Sequence, residues 1–369
     1  MSSRHSRPFP REQIRQQKKV SCSSGQQEAV ERYPDMSANH EGSQPHAPRI
    51  LMFSERNIYE QEVWRCPFYE FEGILQEIDS IDLWAPRPRK WYRHGKRVAS
   101  RLGEYFKTPI NPGIPELRLN REYDLFLAVC EKPSELLNIS SVKGWKDYCK
   151  TSFCWVTEFY VKDIPTFRSS LEVLSRFDHV IFMFDTSEPF KKIIRGKSCY
   201  LPAGIDALRF CPYPKPPKRS IDVLSIGRRS KETHEALLRM ARDEGIFYVY
   251  DTISDLHAHD LEQHRMLIAN LAKRSRYFIA NPGKRDRPED TGGQSEFGYR
   301  HFEGAAPGTI MIGERPKSKE FAKVFNWEDA VVDLPFGSDK IAAIIEDLDK
   351  QPERQLRIRK NNIIRSLLH

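Results

Sequence analysis

Long apolar runs are missing from this 369-residue chain; the longest, such as residues 180–184, hold about five residues, whereas a membrane-spanning helix needs about twenty. The sequence therefore offers no transmembrane helix. No apolar stretch near Met1 is long enough for a secretory leader, so the expected compartment is the cytoplasm. Seven cysteines (22, 66, 130, 149, 154, 199 and 211) are scattered, odd in number and form no CxxC pair, which argues against a disulfide framework or a zinc ribbon. Three motifs are missing as well. No G-x-G-x-x-G opens a helix after an expected strand, no G-x-x-x-x-G-K-[ST] occurs and no G-x-S-x-G occurs, which sets aside a dinucleotide fingerprint, a P-loop and a hydrolase elbow. His257, His259 and His264 are close in sequence, but 259 and 264 are five apart and diverge on a helix. No fourth ligand is evident, so neither a metal nor a cofactor is expected.

What is present is a chain of 39% hydrophobic and 30% charged residues with net charge +8 and pI about 9.0, long enough for about two domains. Residues 1–49 hold eight Lys/Arg against five acids with many Ser, Gln and Pro, and read as a disordered basic and polar arm. From there the pattern alternates. Short apolar runs at 49–54, 81–84, 123–129, 153–157, 179–184 and 198–201 read as strands, with helical segments between most of them. Trp64, Phe68, Phe71, Leu75 and Ile78 recur at helical spacing in the first of these segments. Residues 211–220 carry four prolines in six positions, an extended linker. Beyond it the strand pattern restarts at 221–226, 246–250, 277–280, 309–312 and 330–334. Residues 338–369 read as closing helices broken at Pro352. The expected fold is α/β, two Rossmann-like doubly wound domains (50–210 and 221–337) facing a cleft.

In such sheets ligands sit beyond the carboxyl ends of the strands. Arg228, Arg229 and Lys231 follow the first strand of the second domain, where cations suit a phosphate. After the 277–280 strand come Gly292, Gly293, Glu296 and Gly298, whose glycines free the backbone to approach a ligand. Arg300 and Glu303 then lie three apart on a short helix, on one side of it.

The run Phe302-Glu-Gly-Ala-Ala-Pro-Gly-Thr-Ile-Met-Ile-Gly313 resembles the donor-site signature of the GT-B group-one glycosyltransferases, in their CgeB-like branch. Residues 177–182, Leu201-Pro-Ala-Gly-Ile-Asp-Ala-Leu-Arg-Phe-Cys-Pro212 and Val223-Leu-Ser-Ile-Gly-Arg228 are similar to that family's last first-domain strand, interdomain crossover and opening of the nucleotide-binding domain, in the same order. The resemblance implies a nucleotide-sugar donor, UDP- or GDP-linked, and transfer with retention of configuration. It implies that Glu303 binds the ribose hydroxyls, that Arg228 and Lys231 neutralise the diphosphate, and that the 292–298 loop holds hydroxyl and phosphate oxygens. Neither a metal nor a cofactor is implied. The sequence departs from the family pattern where Ser295 and Glu296 replace a glutamate eight positions before Glu303, where Thr233 replaces a basic residue, and where Ser54-Glu-Arg-Asn57 replaces a glycine loop. A catalytic side chain does not stand out; Glu158 and His179 are the candidates.

Residues 87–107 hold eight Lys/Arg and one acid, interleaved with Trp91, Tyr92, Tyr105 and Phe106. They suit peripheral contact with an anionic membrane and, with it, a glycan or lipid-linked acceptor of polysaccharide synthesis. Two other readings stay open: a catalytically degenerate binding protein of the same fold, and a basic nucleic-acid-binding protein.

Overall fold

The computed structural model describes residues 47–368 except 60, 61, 185, 186, 195, 253–257 and 259. Residues 1–46 of the expected disordered arm, and His257 and His259, lie outside the described residues. In chain order the first half runs β1 (Ile50–Phe53), α1 (Cys66–Ile78), β2 (Ile81–Trp84), α2 (Tyr92–Phe106), β3 (Leu117–Arg118), β4 (Tyr123–Cys130), β5 (Val142–Lys143), α3 (Trp145–Tyr148), β6 (Cys149–Val156), α4 (Arg168–Leu174), β7 (His179–Phe182), α5 (Ser187–Lys191), β8 (Lys197–Tyr200) and α6 (Ala207–Phe210). The second half continues with β9 (Ile221–Ser225), α7 (Lys231–Asp243), β10 (Tyr248–Tyr250), α8 (Leu261–Lys273), β11 (Ser275–Ile279), α9 (Tyr299–Ala305), β12 (Ile310–Gly313), α10 (Lys319–Val324), β13 (Val332–Asp333), α11 (Ile341–Asp349) and α12 (Pro352–Leu367).

Each half is built on one parallel sheet. The first has six strands in the order β2-β1-β4-β6-β7-β8, the second five in the order β10-β9-β11-β12-β13, and β3 pairs separately with β5. Counted by sheet strand, both begin second-first-third-fourth-fifth, the flavodoxin-like winding whose direction reverses between first and third strands. Two Rossmann-like sheets in one chain match the fold expected from the sequence. Central strands are buried on both faces, which is why β4 and β12 read as nearly unbroken apolar runs (YDLFLAVC, IMIG). Phe126 on β4 stacks on Phe177 at 5.7 Å and lies tilted against Trp145 at 5.1 Å, filling the first core. In the second, Phe321 and Phe325 stack at 5.0 Å and Phe297 meets both edge-on.

All eleven strands of the two sheets lie where the apolar runs place them. The β3–β5 pair and the short helical stretch Pro133–Ser141 were not anticipated, since two residues carry no period. The apolar stripe expected on α1 is also rotated. Its buried residues are Cys66, Pro67, Phe68, Tyr69, Glu70 and Glu72, whereas Ile78 and Trp64 are exposed. The start of α1 is covered on more than one side, because α8 of the second half packs against it. Within the proline-rich stretch 211–220, Arg219 donates to the carbonyls of Ser275 and Pro307 and fastens the chain to the second half. Helix α12 packs on α6 and α9. Its Asn362 accepts from the Trp327 indole at 2.8 Å and donates to the Thr309 carbonyl at 2.8 Å. No described helix is long and apolar enough to cross a membrane.

Candidate functional site

The reversal of strand order opens one crevice per sheet, between β9 and β11 in the second half and between β1 and β4 in the first. At the β9 crevice, the turn after the strand is pinned by Asp251, whose carboxylate accepts from the Gly227 N–H at 2.9 Å and pairs with Arg229. Gly227 has φ +81, a turn that suits glycine, and the Arg300 guanidinium lies against it, 3.4 Å from where a Cβ would be. Arg228 pairs with Asp286 at 2.9 Å and stays half exposed. The structure thus brings Arg228, Gly227 and Arg300 to one crevice. Lys231 does not join them as closely: it is 81% exposed and leans along its own helix to Glu235 at 3.9 Å.

Glu303 is not a free carboxylate. It is 1% exposed, with Oε1 held by Arg265 and Oε2 held by Arg300 Nη1 at 2.5 Å. Arg265, equally buried on α8, also grips Glu70 of α1 at 3.0 Å. Glu70–Arg265–Glu303–Arg300 is therefore a buried chain of alternating charge linking the first half to the second-half crevice. Burial alone would push the Glu303 carboxyl up, but the two guanidiniums outweigh it and hold it below the usual carboxylate range. Next to it, His301 is buried between Phe297, Phe321 and Phe325, and burial pushes its imidazole down to about 4, so it is neutral.

The 292–298 loop lies against the first half. A Cβ on Gly292 (φ +62) would meet the Lys162 side chain at 3.1 Å. Gln294 Oε1 accepts from the Val161 N–H at 2.7 Å. Gly293 (φ +82) makes the turn between them. Glu296 is buried and accepts from Gln294 Nε2 at 3.2 Å, while its carbonyl accepts from the Gly283 N–H at 2.9 Å. Gly298 precedes α9 in extended backbone, φ −136.

Of the first-half candidates, Glu158 stands just past β6 at the crevice edge, pairs with Lys284 of the second half, and donates its N–H to the Glu131 carbonyl at 2.7 Å. His179 does not join the site. It opens β7 and stacks on Phe153 at 4.5 Å; in a parallel sheet that end lies away from the crevices.

In the first-half crevice, sequence reasoning reached Glu158 but missed the charge cluster beside it. There one buried guanidinium, Arg65, contacts four carboxylates: Glu55 at 3.2 Å, Glu62 at 3.3 Å, Glu131 at 2.8 Å and Glu135 at 2.5 Å. Asn138 donates to Glu55 at 2.7 Å and accepts from Tyr92 at 3.0 Å, and Lys96 reaches Tyr59 at 2.7 Å. Burial, reinforced by Glu135, pushes Glu131 up to about 7 and Glu55 well above its ordinary value. Among the described residues, no cluster of three or more His, Cys, Asp and Glu is arranged to hold a metal ion.

No protein-family model matches the chain, and no curated protein does. Among solved structures it is similar to Anabaena HepE in complex with UDP-glucose, at 11% identity and a TM-score of 0.48, over 87% of this chain and 94% of that one. It is similar to an α-glucosyltransferase in complex with UDP and a 13-mer DNA, at 10% identity and a TM-score of 0.46, over 87% and 95%. Its likeness to S. aureus TarM has 9% identity and a TM-score of 0.41, and spans about half of that protein (51%). The fold itself rests on the two strand orders.

Proposed function

We propose that the protein moves a sugar from a nucleoside-diphosphate sugar, UDP- or GDP-linked, to a hydroxyl of a glycan or lipid-linked acceptor. The observation that carries this reading is the β9 crevice, where Arg228 and Arg300 flank the open backbone turn at Gly227. When the bond from the anomeric carbon to the diphosphate oxygen breaks, negative charge builds on the leaving diphosphate. The Arg228 guanidinium beside it, joined by Arg300, stabilises that charge. Arginine rather than a divalent metal takes this part in the proposal, and retention of configuration is adopted from the sequence resemblance. Glu303 meets the ribose through Oε2 once the part-exposed Arg300 turns from it toward phosphate, while the fully buried Arg265 keeps Oε1 in place. The acceptor hydroxyl approaches over the first-half crevice, where Glu158 and Glu131 stand at the strand ends.

Incubation with UDP- and GDP-sugars, with chelator present, and measurement of nucleoside diphosphate release tests the reading. Release that falls at least tenfold in Arg228→Gln supports it. Binding of nucleotide without release over long incubation identifies a degenerate binding protein instead. Nucleic-acid binding with a steep salt dependence, and no nucleotide-sugar binding, supports the third reading.

A further inference from the structure

The outer face of α2 has no role in either crevice. At 3.6 residues per turn, Arg93, Arg97 and Arg101 fall along one stripe of the helix and Val98, Leu102 and Tyr105 along the next. Tyr92, Gly95, Ala99 and Gly103 make the buried third face, and α2 packs there on α4 and the segment Pro133–Ser141. The small residues seat the helix closely: a Cβ on Gly95 would collide with the Pro112 carbonyl, and one on Gly103 would meet Thr108 O at 3.0 Å. Everything outward is therefore left to solvent. Tyr105 is 79% exposed and Phe106 62%, with the two rings edge to face at 4.9 Å, and Trp91, Val98 and Leu102 are exposed beside them.

The charge on this face is uncompensated. Glu104, the one acid between residues 87 and 107, lies in line with Arg93 and Arg97, but its carboxylate is taken up by the N–H groups of Arg168 and Ser169, each at 2.9 Å. Arg89, Lys90, Arg93, Arg97 and Arg101 make no ion pair among the described residues. An exposed apolar stripe bordered by a cationic one is the pattern of a helix lying flat in a bilayer interface, apolar side chains in the acyl boundary and guanidiniums on phosphate. A nucleic-acid surface uses cations and flat rings, and gives no reason to keep Val98 and Leu102 out in water.

We propose that α2, with Trp91 before it and Phe106 at its end, is an in-plane docking surface for an anionic lipid bilayer. The surface stands on the helix alone and does not depend on the transferase reading. The same helix sends Tyr92 and Lys96 inward to the first-half crevice, so the bilayer comes within about one helix diameter, roughly 10 Å, of that crevice.

The test is flotation of the full chain with phosphatidylcholine vesicles, with and without phosphatidylglycerol, together with Trp91 fluorescence referenced to Trp91→Phe. Binding is expected only to the anionic vesicles, with a blue shift of Trp91, and it weakens as salt rises. Each interfacial cation is worth about fivefold in binding. The triple variant Arg93→Gln/Arg97→Gln/Arg101→Gln should therefore bind about a hundredfold more weakly. Val98→Ser/Leu102→Ser/Tyr105→Ser should lose at least tenfold and the blue shift with it. Because all six side chains are exposed, both variants should melt with the wild type. Equal binding to neutral vesicles, no binding to anionic ones, or full binding by the cation triple overturns the proposal. So does binding to single-stranded RNA that survives the apolar triple while vesicles are ignored.

Discussion

The two halves share a strand order and differ in how charge is divided at the point where that order reverses. In the first half a single guanidinium, Arg65, is divided among four carboxylates, and protons remain on the cluster toward neutral pH. In the second, a single carboxylate, Glu303, is divided between two guanidiniums, and Arg228 and Arg229 follow β9, paired with Asp286 and Asp251. The same backbone geometry thus holds protons on one side and a carboxylate kept ionised by arginines on the other. The proposed function assigns the diphosphate to the second crevice and the acceptor hydroxyl to the first. Arg265 joins the two, since it is the cation that Glu70 and Glu303 share across the halves.

The sharpest way to break this contrast is to remove the cation on which each cluster depends. Arg65→Leu removes the guanidinium that Glu55 and Glu135 share and leaves Glu131 with Lys132 alone at 3.5 Å, which should cost about 3–5 kcal/mol at neutral pH. Urea unfolding should show part of that loss recovered at pH 5, where the carboxylates take up protons. Arg265→Leu should be somewhat milder, about 3 kcal/mol, because Arg300 still pairs with Glu303. Adding Glu70→Gln to it should restore part of the loss, and a double-mutant cycle measures the coupling across the halves.

Smaller effects separate the halves by what they bind and how they titrate. Arg228→Gln and Arg300→Gln each lose a charge-assisted contact worth about 1.5–3 kcal/mol. Calorimetric titration should show nucleoside diphosphate binding at least tenfold weaker in each. The smallest change expected is in Glu131→Gln. A carboxyl held at about 7 in the fold, against about 4.3 unfolded, binds protons more tightly when native. Its contribution is favourable below about pH 4 and is lost as pH rises through 7. Replacing it should stabilise the protein on the order of 1 kcal/mol at pH 8 and have little effect at pH 5 in melting curves. Glu303, held low by its arginines, has the opposite sign: its contribution is present above the usual carboxylate range and is lost as pH falls.

What could be read from the sequence follows the same division. Buried parallel strands are apolar throughout, so runs such as 123–129 and 309–312 announce themselves without help from tertiary contacts. Arg228, Arg300 and Glu303 were legible because they follow strands in short loops or lie three apart on one helix. Arg265 was not. It sits on the apolar stripe of Ile268, Ala269 and Ala272, where a cation needs a partner, but Glu303 is 38 residues away and Glu70 195. No local spacing carries that pairing. Arg65 and its carboxylates were hidden for the same reason, being gathered from the loops after β1 and β4. His179 misled because a strand's residues were considered without regard to which end faces the crevice. Trp64 and Ile78 misled because helical spacing identifies a stripe but not how many neighbours the helix has.

The central claim is that the β9 crevice takes a nucleoside diphosphate. Melting curves of the wild type with UDP, GDP and ADP, alongside Arg228→Gln and Arg300→Gln, test it most directly. Glu303→Ala is a poor control, because it takes from the buried Arg265 one of its two carboxylates. A nucleotide at about 100 times its dissociation constant should add about 2.7 kcal/mol of stability. The account predicts that one of the three stabilises the wild type and that either glutamine variant cuts the shift. It is contradicted if none shifts the wild type, or if the shift is unchanged in both variants.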